Sequence, residues 1–118
     1  MKANEDYVTM DVAKLLKKKG FNEPTLRCYI GLDGKEKYAM HKRNSELPQD
    51  AYSKASLWDA AKWLREKHGI MIDMNTDYYD EFIFIYQVWS LDKVSDEHGF
   101  GTYEKALNEG IKEALKLI

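Results

Sequence analysis

Three histidines, one cysteine and one short acidic run are the side chains from which this chain could assemble a reactive or metal-binding centre. His41, His68 and His98 stand far apart in sequence, and Cys28 has no second cysteine to pair with. A zinc or iron site needs three or four convergent ligands, usually with at least one close-spaced pair. No such pair is present. Ser95-Asp96-Glu97-His98-Gly99 offers acid–base groups side by side, but a solvated loop charge cluster is the simpler reading. Gly31 and Gly34 suit a turn, and Gly99-Phe100-Gly101 lacks the lysine and the strand-to-helix context of a phosphate loop. A nucleophile elbow is also missing. The residues therefore assign no catalytic, cofactor-binding or metal-ligating position and call for no cofactor. They weigh against an enzyme, and an enzyme of unrecognised type would have to work around His41 and His98.

Binding chemistry has more to draw on. The chain carries 3 Trp, 8 Tyr and 4 Phe in 118 residues. Tyr78, Tyr79, Phe82, Phe84, Tyr86 and Trp89 fall within a dozen positions, and Tyr and Trp are favoured at protein interfaces. Tyr29 and Tyr38 join them if a hairpin pairs the two. The candidate interaction surface is thus Tyr29, Tyr38, Tyr78, Tyr79 and Trp89, suited to a homodimer or to another protein. A basic patch is the alternative: Lys17, Lys18 and Lys19 would meet Arg65 and Lys67 if the two helices carrying them lie side by side, with Arg27, Lys42 and Arg43 extending it. Such a patch with nearby aromatics suits nucleic acid. The overall charge of -2 does not favour that reading.

The elements that must position these residues follow from caps and periodicity. Thr9 is a helix N-cap ahead of the stripe Val12, Leu15, Leu16, and Gly20-Phe21 closes that helix. Residues 25–32 alternate, placing Leu26, Cys28, Ile30 and Leu32 on one face, with Cys28 a small buried residue. Asp33-Gly34 predicts a two-residue hairpin turn, a return strand over 35–41, and the pairs Tyr29–Tyr38 and Cys28–Ala39. Residues 42–55 read as a polar loop broken by Pro48, with Ala51 and Tyr52 able to dock on the core. Ser56 and Asp59 open a second helix that ends at His68-Gly69. A strand over 70–74, a Tyr-rich turn over 75–81 and a strand over 82–91 follow. The last strand is apolar on both faces, which suits a central position or a covering layer. Residues 92–101 read as a polar loop or a short edge strand. A third helix from Thr102 repeats apolar residues at steps of three and four, with Gly110 inside its stripe.

The expected fold is α+β: one domain of three helices packed on an antiparallel sheet of about four strands, in the order α-β-β-α-β-β-α. A faint echo links residues 11–19 to 59–67, from a duplicated helix-plus-hairpin unit or from convergent helix grammar. The N-terminus shows no secretory pattern and no apolar stretch is long enough to span a bilayer, which predicts a cytoplasmic protein without a membrane partner.

Three segments together resemble a group of short uncharacterised bacterial proteins of gut Bacteroidetes, their phages and mobile elements. They are Lys19-Gly20-Phe21 with its preceding helix, the run from Ala61-Lys62-Trp63-Leu64 to His68-Gly69-Ile70, and the tail from Thr102-Tyr103-Glu104 to Leu117-Ile118. The resemblance implies a small stand-alone domain encoded on mobile DNA; a host or phage protein is a partner that the aromatic surface would suit. It brings no activity and no functional residues.

Overall fold

A computed structural model describes residues 6–31, 34–78, 81–89 and 98–118 of the chain. The chain is α+β and keeps the expected order, with two short strands added: α1 (Met10–Lys18), β1 (Thr25–Ile30), β2 (Lys35–Lys42), β3 (Ala51–Ser53), α2 (Leu57–His68), β4 (Met71–Tyr78), β5 (Phe82–Trp89), β6 (His98–Phe100) and α3 (Tyr103–Leu115). The strands form two antiparallel sheets of three, ordered β2-β1-β3 and β4-β5-β6, where about four strands in one sheet were expected. β3 and β6 are three residues each. That is too short for a period-2 pattern to register in sequence, and β6 is the short edge strand that residues 92–101 allowed.

Local chemistry sets the helices. The Ser56 hydroxyl accepts a hydrogen bond from Asp59 N–H at 3.0 Å, and Gly69 closes α2 in the left-handed conformation. The Thr102 hydroxyl caps α3 by accepting from Lys105 N–H at 3.1 Å. Thr9 behaves differently. Its side chain makes no cap to its own helix; its N–H donates to Asn108 Oδ1 and its hydroxyl accepts from Asn108 Nδ2, both at 3.1 Å. The start of α1 is thereby fastened to α3, and Lys112 pairs with Asp11 at 3.0 Å along the same seam.

α3 is the hub. It packs on α1, α2, β4, β5 and β6, and its residues Leu107, Ile111, Ala114 and Leu115 lie in one core with Val12, Leu16, Phe21, Leu64, Tyr86 and Val88. Gly110 lets it come this close. A Cβ there would sit 3.0 Å from Ile72 Cγ2 and 3.1 Å from Tyr86 Cγ. Trp63, only 7% exposed, meets Phe21 edge-on with centroids 5.5 Å apart and closes the core between the ends of α1 and α2.

The first sheet departs from the expected hairpin. β1 and β2 pair Ile30 with Lys35, Tyr29 with Glu36, Cys28 with Lys37 and Arg27 with Tyr38. The connection therefore spans residues 31–34 rather than the two positions Asp33-Gly34, and the Tyr29–Tyr38 and Cys28–Ala39 pairs do not form. Gly31 and Gly34 both have positive φ, and the strands part at the first of them; Leu32 and Asp33 lie outside the described residues. At the other end the register shifts between Thr25 and Arg27. Met40 and His41 there take positive φ of 50° and 60°. Beside this bulge Leu26 is exposed, whereas Cys28 is buried, so the two do not share one buried face. Burial pushes the Cys28 thiol up, despite Lys37, Arg27 and Lys17 nearby, and the side chain packs with Ala39 and Ala51.

Residues 42–55 are tied down more firmly than their polarity suggests. Asn44 is buried: its amide donates to Phe21 O at 2.8 Å and its Oδ1 accepts from Ser53 N–H at 2.9 Å. Lys54 is buried too, with a side chain 3% exposed. Its ammonium donates to Glu36 Oε1 at 2.7 Å and stands 4.9 Å from the Tyr7 ring centroid and 5.6 Å from that of Tyr29. Arg27 reaches the same carboxylate oxygen at 3.2 Å. The hydrogen bond from Lys54, with that of Arg27, holds the Glu36 carboxyl below the usual carboxylate range against the opposing effect of burial. Burial, together with the charges of Glu36 and Asp11, raises the Tyr29 hydroxyl to about 12; it stays protonated and donates to Val8 O at 2.6 Å.

Two stability outcomes follow. Gly110→Ala gains about 1 kcal/mol of helix propensity but forces the fully buried Tyr86 ring to move, which costs roughly 1–3 kcal/mol; urea titration is expected to show net destabilisation. Glu36→Gln removes the carboxylate from a buried lysine and is expected to cost roughly 1–3 kcal/mol, more than Lys54→Met, which removes the buried charge itself. Because the folded Glu36 pKa is depressed, its stabilisation is present above the unfolded carboxylate pKa. It is lost as pH falls through the lower folded value. Urea midpoints measured from pH 7 to pH 3 should fall more steeply for the wild type than for Glu36→Gln.

Candidate interaction surfaces

The second sheet has two chemically distinct faces because β4 and β5 pair in register from Met71–Trp89 to Tyr78–Phe82. Even-numbered residues face α3: Ile72, Tyr86 and Val88 are packed beneath it, and Phe84 meets Tyr103 edge-on at 6.2 Å. The helix does not reach the end of this face. Tyr78 and Phe82 extend past it, 63% and 68% exposed, in an edge-on contact with centroids 5.1 Å apart. Odd-numbered residues form the opposite face, where half-buried Ile83 and Ile85 run along the central strand. Met71 and Trp89 pair at its far end, both open to solvent. The strand that is apolar on both faces is thus the central strand of its sheet.

The five residues expected to form one aromatic surface are divided. Tyr78 and Trp89 lie on opposite faces and at opposite ends of the β4–β5 pair. Tyr78 belongs to β4 rather than to a turn. Tyr79 lies outside the described residues. Tyr38 is exposed on β2, across from Arg27, while Tyr29 is half-buried and engaged with Val8 and Lys54. Phe82 is the residue that sequence reasoning missed as a surface group. A signal existed: it follows Glu81 at the start of its strand, beyond the span that α3 can cover.

The basic residues are divided as well. α1 packs on α3 and β3, and α2 packs on α3 and β4. Lys17 is used internally, donating to Pro48 O at 3.0 Å and Ala51 O at 2.7 Å, with its ammonium over the Tyr52 ring. Lys18 and Arg65 are exposed and do not line the cleft described next. Lys19, which bonds the Ile118 backbone oxygen, and Lys67 do come together. With Arg43 and His68 they surround a cleft of about 470 Å³ at the C-terminal ends of α1 and α2, walled in part by Trp63. Helix C-termini attract cations. Here His68 also stacks edge-on against Trp63 at 4.7 Å, and Arg43 binds Asn22 O at 2.8 Å and Glu23 at 3.5 Å.

His41 sits in the bulge of the first sheet and His98 in β6 of the second; the side chain of His98 and residues 91–97, including Asp96 and Glu97, lie outside the described residues. Among the described residues, no three His, Cys, Asp or Glu side chains are grouped closely enough to hold a metal ion. No described helix is long and apolar enough to cross a membrane. No protein-family model, no curated protein and no solved structure matches the chain.

Proposed function

We propose that this chain is a small interaction protein that acts by binding protein, through self-association or through a partner, with the β4–β5 hairpin as its contact surface. The observation that carries this reading is the exposed pair Tyr78–Phe82, two large rings in mutual contact beyond the end of α3. Isolated exposed hydrophobes are ordinary on protein surfaces, whereas clustered aromatics are what interfaces use as anchors. On the other face, Ile83, Ile85, Trp89 and Met71 add further apolar groups beside the polar Asp73, Asn75, Asp77 and Gln87. A cytoplasmic accessory protein contacting a host or phage protein fits this reading; its carriage on mobile DNA rests on the sequence resemblance alone.

A second reading, nucleic-acid binding, draws support from one observation: Lys19, Arg43, Lys67 and His68 converge on one cleft with Trp63 in its wall. Gel shift with single- and double-stranded DNA and RNA at about 50 mM salt, where phosphate contacts are strongest, checks it.

For the first reading, light scattering over a concentration series and affinity capture from lysate are compared between wild type and Tyr78→Ser/Phe82→Ser. Both side chains are mostly exposed, so the double variant is expected to fold with stability changed by less than about 1 kcal/mol. It should lose dimer mass or the captured partner. A wild type that is strictly monomeric and captures the same proteins as the variant would overturn the proposal.

A further inference from the structure

A separate cleft opens between α3, β6 and the segment leading into α1. It encloses about 340 Å³, within the size range of small-molecule sites. Its wall is mainly apolar, with Tyr7 and Phe100 as its aromatic groups, and Glu104 and Glu109 are among the residues that line it. The reciprocal hydrogen bonds between Thr9 and Asn108 border the same space and fix α1 against α3. The cleft therefore lies between elements already held in place.

The charge and the aromatics select for one kind of ligand. Two glutamates against the single ammonium of Lys105 leave the lining with a formal excess of one negative charge. Aromatic rings attract cations through their electron-rich faces; the Lys54 ammonium, 4.9 Å from the Tyr7 centroid, is answered by Glu36 at 2.7 Å and so does not cancel that excess. An anion would meet the carboxylates, and a strongly hydrated inorganic cation would gain nothing from the apolar wall. We propose that this cleft binds a small organic cation, an ammonium or guanidinium group on a short apolar or aromatic stem, with the stem against Phe100 and Tyr7 and the charge toward Glu104 and Glu109. The proposal is independent of the β4–β5 surface, which lies outside this cleft.

The test uses the full chain and 2-phenylethylammonium as the probe, with neutral 2-phenylethanol and anionic 3-phenylpropanoate as controls. Backbone amide NMR shifts are followed for Thr9, Phe100, Asn108 and Glu109. The ammonium compound should produce saturable shifts at these positions and bind at least about fivefold more tightly than the alcohol. The anion should bind more weakly still. Glu104→Gln/Glu109→Gln should remove that preference, while Lys105→Met should strengthen cation binding; circular dichroism confirms that each variant is folded. Equal binding of ammonium and alcohol, no saturable shift with the ammonium, or a preference unchanged in the folded glutamine variant would each overturn the proposal.

Discussion

The approach of α3 to the second sheet at Gly110 is the contact on which the rest of the structure depends. A helix that packs on five other elements needs one place where its backbone sits directly on its support. Gly110 supplies it by leaving room for Ile72 and for the ring of Tyr86. Around that point Leu107, Ile111, Ala114 and Leu115 join residues from all three helices and the second sheet in a single core. The glycine lowers helix propensity by about 1 kcal/mol, and the burial it permits, at roughly 25 cal/mol per Å² of apolar surface, outweighs that loss across so many contacts.

The two sheets are held by different physics. The second is covered by α3 on one face and depends on apolar burial. The first adds a compact electrostatic knot: Glu36 receives Lys54 and Arg27, and the lysine also lies over Tyr7 and Tyr29. A buried lysine is costly unless its charge is answered, so this knot specifies where residues 51–55 run. The two sheets are also wired differently. In β2-β1-β3 the central strand is the first of its three in sequence, while in β4-β5-β6 it is the second. The echo between residues 11–19 and 59–67 thus leads in both cases into an antiparallel hairpin, and the two sheets differ in where the third strand joins.

What could be read from sequence was what is decided within a few residues. Ser56, Thr102 and Gly69 mark helix ends because capping is local, and the stripe of α3 is visible because its period matches the helix. The interior role of Gly110 was readable for the same reason. The register of β1 on β2 was not, since it turns on which glycine breaks the strand and on a bulge at Met40 and His41. Lys54 and Asn44 sit in a polar stretch whose burial depends on partners 18 and 23 positions away. The surfaces were hardest to foresee. Tyr29 and Lys17 look like free groups in sequence but are used inside the fold, and Phe82 looks like core but passes beyond the helix that would cover it.

The central place of α3 also has a consequence in time. Its residues follow every other element in the chain order, so a ribosome delivers both sheets before the helix that covers the second one. Until residues 103–115 emerge, Ile72, Tyr86 and Val88 face solvent on an otherwise complete β4–β5 hairpin, the kind of transient apolar surface that draws chaperones or neighbouring chains.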